Sequence, residues 1–89
     1  MIGIRGRIYG RVQGVFFRKY AREKALELNI NGFVKNESDG TVYFEAEGEK
    51  ENIEKFKHWC SKGSPGAKVS KVETEEAELK KHKDFQIKY

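Results

Sequence analysis

Eighty-nine residues suffice for one hydrophobic core between two packed layers but not for a second core, so residues 1–89 are read as a single domain. With 37% hydrophobic and 36% charged residues and a good supply of aromatics, the composition excludes a disordered chain, and the formal charge of +4 favours an anionic partner without choosing its class. One cysteine, Cys60, and two histidines, His58 and His82, exclude an internal disulfide framework and any recognisable metal-binding spacing, so neither metal nor other cofactor is expected.

The opening MIGIRGRIYG interrupts its isoleucines with glycine and arginine, unlike the apolar stretch of a signal peptide, and no apolar run is long enough to span a membrane. A cytoplasmic location with no membrane partner is therefore expected. Ile4 to Tyr9 sets Ile4 and Ile8 against Arg5, Arg7 and Tyr9 with a period of two, which predicts a strand buried on one side. From Phe17 the spacing changes: Phe17, Ala21, Ala25 and Leu28 form one stripe of an amphipathic helix, and Asn29 to Gly32 supplies its stop.

Phe33 to Asn36 and Thr41 to Glu47 are extended runs joined by Glu37, Ser38, Asp39 and Gly40, a hairpin signal. In the second arm Val42, Phe44 and Ala46 alternate with Tyr43, Glu45 and Glu47, so one face is expected to be apolar and the other wet. After Gly48, Glu49 and Glu51 suit a helix N-terminus, and Ile53, Phe56 and Cys60, with Trp59 beside them, predict a second amphipathic helix.

Lys62 to Gly66 is loop chemistry, and Lys68 to Glu75 predicts a weaker strand in which Val69 and Val72 break parity, the mark of a bulge or bend. The lysine-rich run Lys80 to Lys83 is expected as a solvated loop. Phe85, Ile87 and Tyr89 alternate as a closing strand. The order is β-α-β-β-α-β, with a short extra strand possible among the last two extended runs. Such an α+β chain builds an antiparallel sheet with two helices on one face, the ferredoxin-like α/β sandwich.

The stretch GRVQGVFFR, Gly10 to Arg18, falls at the turn from first strand to first helix. Amides there would face the positive end of a helix dipole, Gly10 and Gly14 would let the chain wrap an anion, and Arg18 could add a planar fork of charged donors. From spacing alone, a tight turn with Arg18 as a solvated charge is the leading reading, because short glycine patterns are common false positives. GRVQGVFFR resembles the acylphosphatase signature G-x-V-Q-G-V-x-F-R at Gly10, Val12, Gln13, Gly14, Val15, Phe17 and Arg18. GFVKNESDGTV resembles the second block of that family, at Gly32, Val34, Asn36, Asp39, Gly40 and Val42, and the Gly63 to Pro65 turn and the F-x-I-x-Y ending extend the likeness over nearly the whole chain. The chain differs at Ser64, where many members have proline, a position expected to lie away from the site.

The resemblance implies a metal-independent enzyme that hydrolyses acyl phosphates to carboxylate and inorganic phosphate. It implies that Arg18 binds the phosphoryl group, that Asn36 holds the attacking water, and that amides of Gln13, Gly14, Val15, Phe16, Phe17 and Arg18 form the phosphate cradle. The side chains of Val12, Val15, Phe16 and Phe17 are then expected to pack and fix the loop, with Gln13 as its hydrogen-bond brace. No nucleic-acid partner is expected, because Glu45 and Glu47 stand where an RNA-binding sheet would carry aromatics. A monomer is expected. A phosphate-ligand or nucleic-acid binding module of the same fold is the alternative.

Overall fold

A computed structural model describes residues 1–89. The chain runs β1 (Ile2–Arg11), α1 (Phe17–Glu27), β2 (Asn31–Asn36), β3 (Val42–Gly48), α2 (Lys50–Lys62), β4 (Lys68–Ala77) and β5 (Phe85–Lys88). The sheet has the order β4-β1-β3-β2-β5. Its first four strands are antiparallel to their neighbours, as expected for the ferredoxin-like sandwich, and β5 adds beside β2 in parallel, making a mixed five-stranded sheet.

Both helices bury one stripe against the same face of the sheet. Phe17, Ala21 and Ala25 do so from α1, and Ile53, Phe56 and Cys60 from α2. The Phe56 ring meets the edges of Phe44 and Phe85 at centroid distances of 5.4 and 5.8 Å, and Phe17 packs on Trp59 at 5.2 Å. Each fully buried aromatic stabilises the fold by about 2–3 kcal/mol of transfer free energy. The expected stop of α1 is a Schellman closure: Asn29 takes φ 55, and the amides of Asn29 and Ile30 donate to Leu26 and Ala25. That closure drives Ile30 into the core.

The parity break in β4 is a bulge. Tyr9 pairs with Lys71 and Gly10 with Val69, so Ser70 is the extra residue. Gly10 belongs to this bulge and not to the loop that follows it: at φ 123, a Cβ there would stand 2.2 Å from the Lys68 carbonyl oxygen.

The outer face of β3 is not wet as expected. Glu45 and Glu47 are buried, because the connection from β4 to β5 crosses over them. The Glu47 carboxylate accepts from the amides of Lys80, Lys81 and His82, and the Lys80 ammonium lies 3.0 Å from Glu45 Oε1. The run Lys80 to Lys83 is thus a loop with exposed lysines, as expected, whose backbone amides dock on Glu47. Burial alone would raise the Glu45 pKa, but hydrogen bonds from Tyr43 and Lys80 outweigh it and hold the carboxyl below its ordinary value.

Candidate active site

The N-terminus of α1, the end of β2 and the end of β5 meet around one cavity of about 420 Å³. Its lining includes Gly14, Phe16, Arg18, Asn36 and Tyr89. Arg18 and Asn36, far apart in sequence, therefore open into the same space.

The loop between β1 and α1 leaves its backbone donors free. The amides of Gln13, Gly14, Val15 and Phe16 have no main-chain acceptor, and the first amide of α1 to bond one turn back is Tyr20, on the Phe16 carbonyl. Gly14 takes φ 74, and a Cβ built on it would meet nothing within 4 Å. Glycine is required there by backbone conformation, not by crowding. No acidic side chain occupies the first turn of α1, so the positive end of its dipole is left for a ligand.

Arg18 donates from Nη1 to the Lys88 carbonyl at 3.1 Å, and its guanidinium lies 4.7 Å from the centre of the Tyr89 ring. These contacts orient the fork without neutralising it. Arg5 and Arg7, by contrast, pair with Glu75 and with Glu37 and Asp39. Arg18 has no carboxylate within reach, as suits a cation kept for an anionic ligand.

Asn36 ends β2, paired with Val42 of β3. A strand-end asparagine often ties its hairpin, but other residues do that here. Asp39 accepts from the Thr41 amide at 3.0 Å and the Thr41 hydroxyl at 2.6 Å, and the Arg7 guanidinium donates to that hydroxyl at 2.8 Å. The Thr41 hydrogen bonds hold the Asp39 carboxyl below its ordinary pKa. The Asn36 carboxamide is left with no protein partner.

Gln13 is the brace expected of it. Its side-chain amide donates to the carbonyls of Glu37 and Thr41 at 2.7 and 2.9 Å, clamping the α1 loop to the β2–β3 hairpin and so fixing Arg18 relative to Asn36. Val12 and Phe17 are buried as expected, and Val15 packs against the core. Phe16 is different. Expected to pack, it is 73% exposed and caps α1 in the left-handed region at φ 59. A left-handed residue with a Cβ costs roughly 1–2 kcal/mol of backbone strain.

Ser64 also departs from expectation. Its buried hydroxyl donates to the Val15 carbonyl at 2.8 Å, so the turn after α2 supports the cradle loop directly. Neither Ser64 nor Tyr89 was predicted as part of the site. The pairing of β5 with β2, which brings Tyr89 over Arg18, leaves no local pattern to read.

The ionisable side chains lining the cavity are Arg18, Lys19 and Tyr89; no side-chain carboxylate, imidazole or thiol is among them. Cys60 is fully buried in α2, where burial pushes its thiol pKa up, away from nucleophilic use. No group of three His, Cys, Asp or Glu side chains is gathered anywhere in the chain to hold a metal ion. The site can bind a phosphoryl-sized anion and orient a water; its side chains offer no evident general base or covalent nucleophile.

The family model described as acylphosphatase matches residues 4–87. An acylphosphatase of Mannheimia succiniciproducens is 50% identical over 66 residues, 74% of this chain and 73% of that protein. One of Archaeoglobus fulgidus is 42% identical over the full length of both chains. The crystal structure of acylphosphatase from Bacillus subtilis superposes with a TM-score of 0.97 at 37% identity, covering all of each chain.

Proposed function

The chain belongs to the acylphosphatase family and is an acylphosphatase by activity, and from that premise we propose that it hydrolyses small acyl phosphates with Arg18 and the loop amides on the phosphoryl group and Asn36 on the water. The observation that carries this reading is the meeting of an arginine without a carboxylate partner and a carboxamide without a protein partner in one cavity at the start of α1.

The reaction needs little from side chains. The leaving group is a carboxylate, stable as it departs, so no acid need protonate it. The work left is to hold the phosphoryl group, spread charge over its equatorial oxygens, and set a water in line opposite the leaving oxygen. Amides of Gln13 to Arg18 and the Arg18 fork do the first two. The Asn36 carboxamide accepts from the water through Oδ1 and donates through Nδ2.

As the water oxygen bonds phosphorus, the bond from phosphorus to the acyl oxygen breaks and its electron pair leaves on the carboxylate. With no side-chain carboxylate or imidazole lining the cavity, the water's proton passes to a phosphoryl oxygen, and the products are carboxylate and dihydrogen phosphate. The open sheet face sets Arg5 and Arg7 against Glu75 and Glu73, an alternation of sign that supports a small-molecule substrate over a nucleic acid.

The test is hydrolysis of acetyl phosphate by the parent chain and by Arg18→Ala, each with and without inorganic phosphate. Turnover by the parent, competitive inhibition by phosphate, and loss of both substrate affinity and rate in a folded Arg18→Ala are expected. A folded Arg18→Ala that turns over like the parent sinks the assignment. Phosphate binding without any turnover would instead leave a binding module.

A further inference from the structure

The surplus of positive charge is unevenly placed. α1 carries four cations against two carboxylates, and α2 does the same, so the helices hold a surplus of four. That equals the formal charge of the whole chain, and the sheet and connections sum to zero. On α1 the surplus is matched by Arg18 and Lys19, which open into the catalytic cavity. The surplus on α2 takes no part there.

A second cavity, of about 490 Å³, opens between the two helices and shares no lining residue with the first. Lys24 lines it from α1, and Glu54, Lys55, His58, Trp59 and Lys62 line it from α2. Lys55, Trp59 and Lys62 fall at i, i+4 and i+7, so two lysines flank the indole along one stripe of the helix and a third stands across the groove. Three ammonium groups meet a single carboxylate in this wall, and that carboxylate, Glu54, is engaged by Lys57 at 3.4 Å.

Trp59 is the sole tryptophan of the chain. Inward it packs on Phe17 and Phe56, at centroid distances of 5.2 and 6.3 Å, yet it stays half-buried and forms part of the cavity wall. The cation–π contacts of the protein all fall on tyrosine and phenylalanine rings, so no neighbouring lysine covers the indole. The lysines themselves are held loosely. Lys24 reaches Glu27 at 3.2 Å and Lys55 reaches Glu51 at 3.9 Å, both exposed pairs of the kind that a ligand anion readily replaces.

We propose that this groove is a second binding site, for a small planar aromatic polyanion that lies on Trp59 while its anionic groups reach Lys24, Lys55 and Lys62. An aromatic floor with a few charged groups around it is how small-molecule sites combine affinity with orientation, and the cavity has the size of such sites. Ammonium groups act as point charges with no demand for a bidentate partner, so carboxylate and phosphate groups serve equally. The site is independent of the catalytic reading and needs no turnover.

The test follows the emission of the one tryptophan as trimesate, a benzene ring with three carboxylates, is added to the full chain. Its saturated cyclohexane counterpart carries the same charge without the aromatic face. Trimesate should change the emission saturably and bind about fivefold more tightly than the cyclohexane compound, the size of one aromatic contact. Lys55→Gln and Lys62→Gln, both surface changes, should each weaken it about threefold or more. Lys50→Gln removes the same charge from α2 outside the cavity and should leave the affinity unchanged.

Equal binding of the two tricarboxylates, or equal losses in Lys50→Gln and Lys62→Gln, would reduce the effect to general surface charge and overturn the proposal. Weaker binding to Arg18→Ala would place the probe in the catalytic cavity and overturn it too. A short single-stranded oligothymidylate that displaces trimesate and binds more tightly would make the groove a nucleic-acid surface and refute the small-ligand assignment.

Discussion

Replacing Asn36 by alanine tests the proposed hold on the attacking water apart from the hold on the phosphoryl group. The carboxamide has no protein partner, and the backbone of Asn36 keeps its pairing with Val42, so the change breaks no bond of the fold. Stability should therefore stay within about 0.5 kcal/mol of the parent, a melting shift of no more than about 4 °C for a domain of this size. Turnover should respond differently. One preorganised hydrogen-bonding group lost from a transition state costs about 3 kcal/mol, or roughly a hundredfold in kcat. The cradle amides and Arg18 remain, so inorganic phosphate should still bind. At about a hundred times its Kd, phosphate adds about 2.7 kcal/mol of stability, which in so small a domain is a melting rise of about 10 °C or more. The paired assay is acetyl phosphate hydrolysis and phosphate-induced thermal shift on parent and variant. Turnover by Asn36→Ala within about threefold of the parent would refute the water-holding role.

Other perturbations test the remaining parts. Arg18→Lys should keep the charge but lose the fork, so kcat/KM for acetyl phosphate should fall by about a hundredfold or more and recover little over Arg18→Ala. Gln13→Ala removes the hydrogen bonds to the Glu37 and Thr41 carbonyls, so it should lower stability by about 2 kcal/mol and reduce turnover too, both visible in melting and initial-rate measurements. Cys60→Ser buries a hydroxyl in place of a thiol and should cost about 1–3 kcal/mol of stability while leaving the rate per folded molecule unchanged; a large loss of rate in folded protein would implicate a thiol. The Glu45 pKa is lower in the folded state than its unfolded value of about 4.3, so its contribution is complete above that value and is lost as pH falls through the lower, folded value. Melting temperatures below about pH 4.5 should fall less steeply for Glu45→Gln than for the parent.

Local patterns made most of the fold readable. Period two marked β1 and the hairpin, the 3.6-residue period marked both helices, and the parity break at Val69 and Val72 became the bulge opposite Gly10. Arg18 and Asn36 were legible through two separate motif blocks, and the fold brings them to one cavity. The features that escaped depend on pairings distant in sequence. The parallel docking of β5 on β2 brings Lys88 and Tyr89 to Arg18, and nothing in the last five residues encodes that partner. Glu45 and Glu47 alternate with apolar residues as solvent-facing carboxylates do, yet the β4–β5 connection buries them by supplying three amides and an ammonium. Phe16 was misplaced for the opposite reason: hydrophobicity argues for the core, whereas its place at the helix start sends the ring outward.

A domain this small can hold a catalytic site because the site draws on groups that the fold already leaves free. Every α-helix begins with amides lacking acceptors, and here the loop before α1 adds more of them, so in the proposed mechanism most of the phosphoryl contacts need no side chain. The side chains that the proposed mechanism adds are Arg18, on the first turn of the same helix, and Asn36, at the end of the strand beside it. Their relative position then depends on few connections: Gln13 joins loop to hairpin, Ser64 joins the loop to the turn after α2, and Lys88 joins β5 to Arg18. All three use backbone carbonyls as acceptors, so the geometry is set by the main chain, whose course the core fixes, and not by a network of mobile charges. Substitutions on the solvent side of α2 should therefore leave turnover intact, whereas a change at Gln13 or Ser64 should reach the chemistry without touching the substrate.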